Sequence, residues 1–462
     1  MRCPGDLLLI SSYELGHQPL SLASPLGFLS RAGYEATGLD AAVERLPEPL
    51  LTRARFVGIA VPMHTAMRLG LRVAERVRAV NPAAHLCFYG LYASLNAGYL
   101  LQHVADSVIG GEYEQPLVDL IRALDAGDSR PVDGVTDRQH RSVPVLRRLS
   151  FTRPDRHRLP ELKCYAHLDT GEKKVMAGYV EASRGCRHTC LHCPITPVYR
   201  GRFFIVPAEV VLDDIRHLIS LGARHITFGD PDFLNGPGHA LRLARALHRA
   251  FPDVTFDITT KVEHIIEHAG LFPELKSLGC AFVVSAIESV SDLVLERLEK
   301  GHDRADIVRA LDILDDADIP MRPSLVAFTP WTTIDDYLTM LEFIETRCLI
   351  DHIDPVQYTI RLLVPPGSAL LDRPETLTWL GPLDEAAFFY RWDHPDSRMD
   401  ALHRRVSRLV EDAVRANEDP AVTFSWIKSL ADATAGVSPL ASLSPVSLTR
   451  RRIPRLTESW FC

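Results

Sequence analysis

Short apolar runs, each followed by a stretch with helical spacing, recur along most of this chain, and that rhythm leaves few folds open. In a first series, strands are predicted at Asp6–Ser12, Tyr34–Leu39, Phe56–Val61 and His85–Leu91, with helices near Leu20–Ala32 and from Ala66 to Val80. The series closes with Ser107-Val-Ile-Gly-Gly-Glu-Tyr-Glu114 and a helix through Leu124. It predicts a doubly wound parallel α/β sheet over residues 1–125. A polar segment with Pro131, Pro144 and Pro154 reads as a linker, taken as 126–175.

A second series runs from Met176 to about Leu363, with strands at Gly178–Ala182, His225–Phe228, Thr255–Ile258, Ala281–Ile287, Met321–Phe328 and Val356–Leu362. Six strands with intervening helices predict an open, partial (β/α)6 barrel over 176–371, whose chemistry belongs at the C-terminal ends of its strands. Residues 372–462 read as a small helical region, charged through Ala416 and then irregular and rich in Ser and Pro.

At 462 residues, 46% hydrophobic and 24% charged, the chain has globular composition. A net charge of −8 gives no footprint for nucleic acid or an anionic membrane, so neither is expected as a partner. No apolar run reaches membrane-spanning length. Nine cysteines, an odd number and scattered but for one group, argue against a disulfide framework and predict a reducing, cytoplasmic setting.

The one group follows the first barrel strand: Glu181-Ala-Ser-Arg-Gly-Cys186-Arg-His-Thr-Cys190-Leu-His-Cys193-Pro194. Thiolates are what iron–sulfur clusters require, and three of them around a cubic cluster leave one iron open to another ligand. The competing reading is structural zinc, with His188 or His192 as fourth ligand. Cys3, Cys87, Cys164, Cys280 and Cys348 lie in apolar or strand-like contexts and read as core.

The triad Cys186-x3-Cys190-x2-Cys193 after a β-strand, with His192 before its last cysteine, resembles the defining motif of radical S-adenosylmethionine (SAM) enzymes. The resemblance implies a 4Fe-4S cluster on the three cysteines, SAM on the open iron, a small-molecule substrate and an electron donor such as flavodoxin or ferredoxin. It also carries roles onto later strand ends. Gly229-Asp-Pro-Asp-Phe233 stands where the family receives the SAM amino group, making Gly229, Asp230 and Asp232 candidates, although Gly-Asp-Pro is also a common turn. Ser285-Ala-Ile-Glu-Ser289 resembles the family's Gly-Ile-Glu-Ser segment, with Glu288 and Ser289 in place to meet ribose and carboxylate. Thr260-Lys261 puts a cation at the barrel mouth. Arg322 is read either as a partner for the SAM carboxylate or as half of a structural ion pair. Leu363 and Val364 are expected as a wall for adenine.

The N-terminal stretch resembles the cobalamin-binding domain preceding the barrel in one radical SAM class, through Pro25-Leu-Gly-Phe28, Phe88-Tyr-Gly-Leu-Tyr-Ala93 and Gly110-Gly-Glu-Tyr-Glu114. The Asp-x-His-x-x-Gly signature is absent, His17 and His64 are lone loop histidines, and cobalamin stays open. Cys193-Pro-Ile-Thr-Pro-Val-Tyr-Arg-Gly201, His225–Asn235 and Phe328-Thr-Pro-Trp-Thr332 resemble a bacterial radical SAM family ending in Cys-Cys-Ala-Glu-Pro or its selenocysteine form. That resemblance implies a tail thiol at Cys462 and a frame continuing through a UGA codon. Sulfur, selenium or arsenic chemistry is then open, as are a cobalamin-dependent methyltransferase and a non-catalytic metal or chalcogen carrier.

Overall fold

The structure, a computed structural model, describes residues 1–436 and 453–457. Cys462 lies outside the described residues.

Five parallel strands build the N-terminal sheet: β1 (Leu7–Ser11), β2 (Ala36–Asp40), β3 (Phe56–Ala60), β4 (His85–Tyr89) and β5 (Ser107–Ile109). Their order, β2-β1-β3-β4-β5, reverses direction between β1 and β3, and such a switch point opens a crevice at the C-terminal ends of the strands. The strands read as continuous apolar runs because helices bury both faces.

The stretch expected as a linker is largely structural. It supplies β6 (Val135–Asp137), antiparallel on the β5 edge, and Arg156, which is 2% exposed. The Arg156 guanidinium donates to Gln18 Oε1 at 3.0 Å in the first unit, and to Asp214 Oδ1 at 2.7 Å and the Tyr179 carbonyl at 2.7 Å in the second. A guanidinium with all its contacts in place across a seam fixes two units against each other.

The second sheet begins with the hairpin β7 (His167–Asp169) and β8 (Lys174–Val180). Within the cluster-motif segment, β9 (Ser183–Gly185) pairs with β10 (Phe203–Ile205). The barrel continues through β11 (His225–Phe228), β12 (Thr255–Thr259), β13 (Cys280–Glu288) and β14 (Met321–Leu325), with β8 and β11 to β14 all parallel. The sixth barrel position is thinner than the apolar run suggests. Residues Pro355–Thr359 form a 3-10 turn, and one parallel bridge, Phe328 to Arg361, extends the sheet there.

Helices Ser397–Arg415 and Pro420–Ala435 cover that side, bringing Met399, Leu402, Phe424 and Ile427 into the barrel core. The second of these replaces the irregular stretch expected after Ala416. Ahead of them, β15 (Leu380–Asp384) and β16 (Phe389–Trp392) form a hairpin whose tip, Phe388, enters the N-terminal core beside Tyr99. A short β17 (Arg455–Leu456) pairs with β7. No helix among the described residues is long and apolar enough to cross a membrane.

Candidate active site

The cysteine loop leaves β8 and crosses the open end of the barrel. Gly185 makes the turn with φ +75°, and a Cβ there would meet the Arg202 carbonyl at 2.4 Å. Cys186 and Cys190 are buried, Cys193 partly so, and all three thiols are free. Burial pushes the Cys193 thiol up to about 11 and raises that of Cys186. The thiols line a cavity of about 300 Å³ closed by Phe228, Phe282, Val284 and Ala286 from β11 and β13.

Two ammonium groups stand beside the thiols. Lys261 Nζ lies 3.6 Å from Cys190 Sγ and donates to the Lys300 carbonyl at 2.7 Å. Lys300 Nζ donates to Glu288 Oε1 at 3.1 Å. Glu288 sits just past a β-bulge, where the β13–β14 register shifts between Ala286 and Glu288, and its φ is +61°. A non-glycine residue held there is costly, and bulges of this kind re-aim side chains near active sites. The result points Glu288 at Lys300 and at His192 Nε2, 3.1 Å away. Burial alone would raise the carboxyl, but the Lys300 and His192 charges hold it well below the usual carboxylate range.

The other predicted residues divide. Gly229 is required by packing, since a Cβ would sit 2.0 Å from the Tyr179 ring. Asp230 faces the cavity, yet both its oxygens are taken, one by the Ala182 amide at 2.7 Å and one by the Ser183 hydroxyl at 2.5 Å. Burial lifts its carboxyl to about 7. Asp232 is fully buried and is not part of the cavity lining, lying among Thr260, His188 and His264. Ser289 accepts from the Ser291 amide and shapes the turn before helix Asp292–Arg297 rather than lining the cavity.

Arg322 forms the ion pair of one reading and keeps an amino group open for the other. One amino group donates to Asp354 Oδ2 at 2.7 Å, while Nη1 is buried without a partner in the cavity wall. Val364, expected beside Leu363 as a wall for adenine, is fully buried in a separate cluster with Leu191, Val294 and Trp392.

His17 and Lys300 are the residues that sequence reasoning undervalued or missed. The loop after β1 carries His17 across the domain seam, where it stacks on Tyr179 at 4.5 Å and lines the cavity. Burial lowers it to about 4, which keeps the ring neutral. His64 is buried as well, its Nε2 2.7 Å from the Ala387 carbonyl. The cysteines expected in the core divide too, with Cys87 and Cys280 buried and Cys3, Cys164 and Cys348 exposed.

Arg184, two residues before Cys186, holds the loop against the N-terminal sheet. Its guanidinium reaches Glu114 Oε1 at 2.6 Å, Glu181 Oε2 at 2.9 Å and Glu112 Oε2 at 3.4 Å. Tyr199 and Ser24 hydroxyls donate to Glu112 and Glu114. Above this latch, at the sheet's switch point, lies a gap of about 220 Å³ lined by Glu14, Met63, Tyr89 and Glu181.

A family model described as the radical SAM superfamily matches residues 180–344. The chain carries a radical SAM domain. Its relatives include a tRNA-2-methylthio-N(6)-dimethylallyladenosine synthase of Desulfosudis oleivorans, 30% identical over 212 residues, covering 43% of this chain and 44% of that protein. A ribosomal protein uS12 methylthiotransferase, RimO of Geobacter sulfurreducens, is 28% identical over 36% of this chain and 39% of its own length. The chain thus spans under half the length of these two relatives. Among solved structures, the cobalamin-dependent SAM radical enzyme OxsB matches with a TM-score of 0.71 at 14% identity, over 88% of this chain and 67% of that one. The radical SAM methyltransferase TsrM of Kitasatospora setae matches with a TM-score of 0.58 at 18% identity, over 74% and 71%. These two share the fold.

A radical SAM domain implies a 4Fe-4S cluster and SAM, and the residues fit both. Three free thiols meet two ammonium groups at one cavity, and the same wall offers an unpartnered guanidinium nitrogen to a carboxylate.

Proposed function

We propose that this chain is a radical SAM enzyme acting on a small molecule, with Cys186, Cys190 and Cys193 holding the 4Fe-4S cluster. The observation carrying this reading is that these thiols open onto the cavity that also presents Arg322 Nη1, Glu288 and Lys300. When bound, the cluster supplies the electron for reductive cleavage of SAM. Lys261 and Lys300 offset the negative charge of thiolate-bound iron. Arg322 Nη1 binds the SAM carboxylate, and Asp354 fixes the angle of its guanidinium. Glu288, kept ionised by its neighbours, accepts hydrogen bonds from a ribose. Phe228, Phe282 and Val284 exclude water, and neutral His17 on Tyr179 forms the substrate side. The tail resemblance makes sulfur, selenium or arsenic compounds the first substrates to try.

The test is anaerobic reconstitution followed by incubation with SAM and dithionite. Wild type should gain absorbance near ~400 nm and release 5′-deoxyadenosine, and Cys190→Ala should do neither. Equal iron uptake by the variant would refute the reading. A corrinoid spectrum retained through purification would replace it with cobalamin-dependent methyl transfer; the fold neighbour TsrM is a radical SAM methyltransferase.

A further inference from the structure

Behind the cavity wall, three metal-ligating side chains converge that the proposed reaction does not use. His188 comes from the cysteine loop, Asp232 from the turn after β11, and His264 from helix Val262–Glu267 after β12. One ligand atom from each lies within 4.8 Å of the others. His264 Nδ1 is 2.7 Å from Asp232 Oδ2. His188 Nε2 is 3.6 Å from that oxygen and 3.3 Å from His264 Nε2. The Asp232 and His264 side chains are both fully buried.

The hydrogen-bond accounting of Asp232 is lopsided. Oδ1 accepts from the Leu234 amide at 3.1 Å and from the Thr260 hydroxyl at 2.8 Å, so it is satisfied. Oδ2 has no hydrogen bond, and neither has His264 Nδ1, although the two approach to 2.7 Å. Two buried polar atoms this close and without a hydrogen bond are a pair that a shared cation would satisfy. The surroundings match a metal's outer shell. The Thr260 hydroxyl and the Leu234 amide donate to Oδ1 and so orient the carboxylate.

We infer that His188, Asp232 and His264 form a second metal site, separate from the cysteine triad, for a divalent transition-metal ion such as zinc. Two imidazoles and one carboxylate suit such an ion. Its three ligands come from the cysteine loop and from the ends of two barrel strands, so the ion staples the loop to the barrel. His188 alone of the three also lines the cavity.

The experiment uses the full chain, reconstituted with iron and sulfide, supplied with zinc and desalted. Iron and zinc are counted by mass spectrometry, and zinc ligands are read by X-ray absorption. Wild type should hold about one zinc beyond its cluster iron, with nitrogen and oxygen neighbours at ~2.0–2.1 Å and no sulfur at ~2.3 Å. Cys190→Ala should lose the iron and keep the zinc. Asp232→Asn, which preserves Oδ1 and its two donors, should keep the iron and lose the zinc, and His264→Gln should repeat that result. Zinc content unchanged in both folded variants, or sulfur neighbours in the zinc spectrum, would overturn the proposal. Iron uptake by the wild type is read separately, so failure of the cluster reading and failure of this one give different outcomes.

Discussion

The two ends of the Glu181–Pro194 segment meet opposite situations. At its start, Arg184 is one cation among the carboxylates of Glu112, Glu114 and Glu181, and the excess negative charge is dealt with internally. Burial lifts Glu112 to about 7 and raises Glu181, so protons supply what the single guanidinium does not. At its far end, Lys261, Lys300 and Arg322 are matched by Glu263, Glu288 and Asp354 before the thiols are counted. Buried atoms without partners also gather there, including Arg322 Nη1 and His192 Nδ1. At the latch one buried carboxylate oxygen, Glu114 Oε2, lacks a hydrogen bond, whereas the thiol end gathers several unpartnered atoms around thiols suited to groups the polypeptide does not supply.

The largest test of that contrast removes the latch cation. Arg184→Met should leave buried carboxylates unpaired and cost about 3–5 kcal/mol, read as a large drop in urea midpoint. A cost below ~1 kcal/mol would mean the latch is no more than a surface pair. Next in size, Gly229→Ala should cost about 1–3 kcal/mol, because Tyr179 must move from its place against His17. Its melting temperature and its 5′-deoxyadenosine yield should fall together.

Lys300→Met tests the thiol end. Removing a cation near the cluster should make the cluster harder to reduce, lowering 5′-deoxyadenosine release about 10-fold while iron content holds. Loss of iron with an unchanged rate per cluster would instead assign Lys300 a purely structural role.

The smallest effect is a pH dependence. Glu112 has an ordinary value of 4.5 and a folded value of about 7, so the folded protein keeps a proton that the unfolded chain has already released. Stability from this group is therefore present at the acid end and is lost as pH rises through that window. Glu112→Gln keeps an acceptor for Tyr199 without the charge. It should match wild type near pH 5 and exceed it by about 1–3 kcal/mol near pH 8, seen as melting curves that separate only on the alkaline side.

Much of the architecture was legible in the chain because strand and helix periodicity are local. The strand positions β1 to β5, β8 and β11 to β14 fall within a few residues of the apolar runs that predict them, while no predicted run covers β9 or β10. The sixth barrel run misled because Val356–Leu362 is apolar for another reason, burial of Tyr358 beneath Phe424 from a later helix. The linker misled because its prolines and polar residues conceal one buried arginine, Arg156, whose partners lie 138 and 58 positions away.

By itself the sequence determined the alternating α/β plan and the three cysteines, since spacing along one loop suffices to bring thiols together. Tertiary structure alone decided which charges surround them. Lys300 meets Glu288 only because of a bulge and a turn, His17 reaches the cavity from another domain, and Asp232 faces His264 rather than the cavity. These contacts join residues that periodicity treats as independent, and an ionic or ligating role depends on distances of a few ångströms that only packing sets.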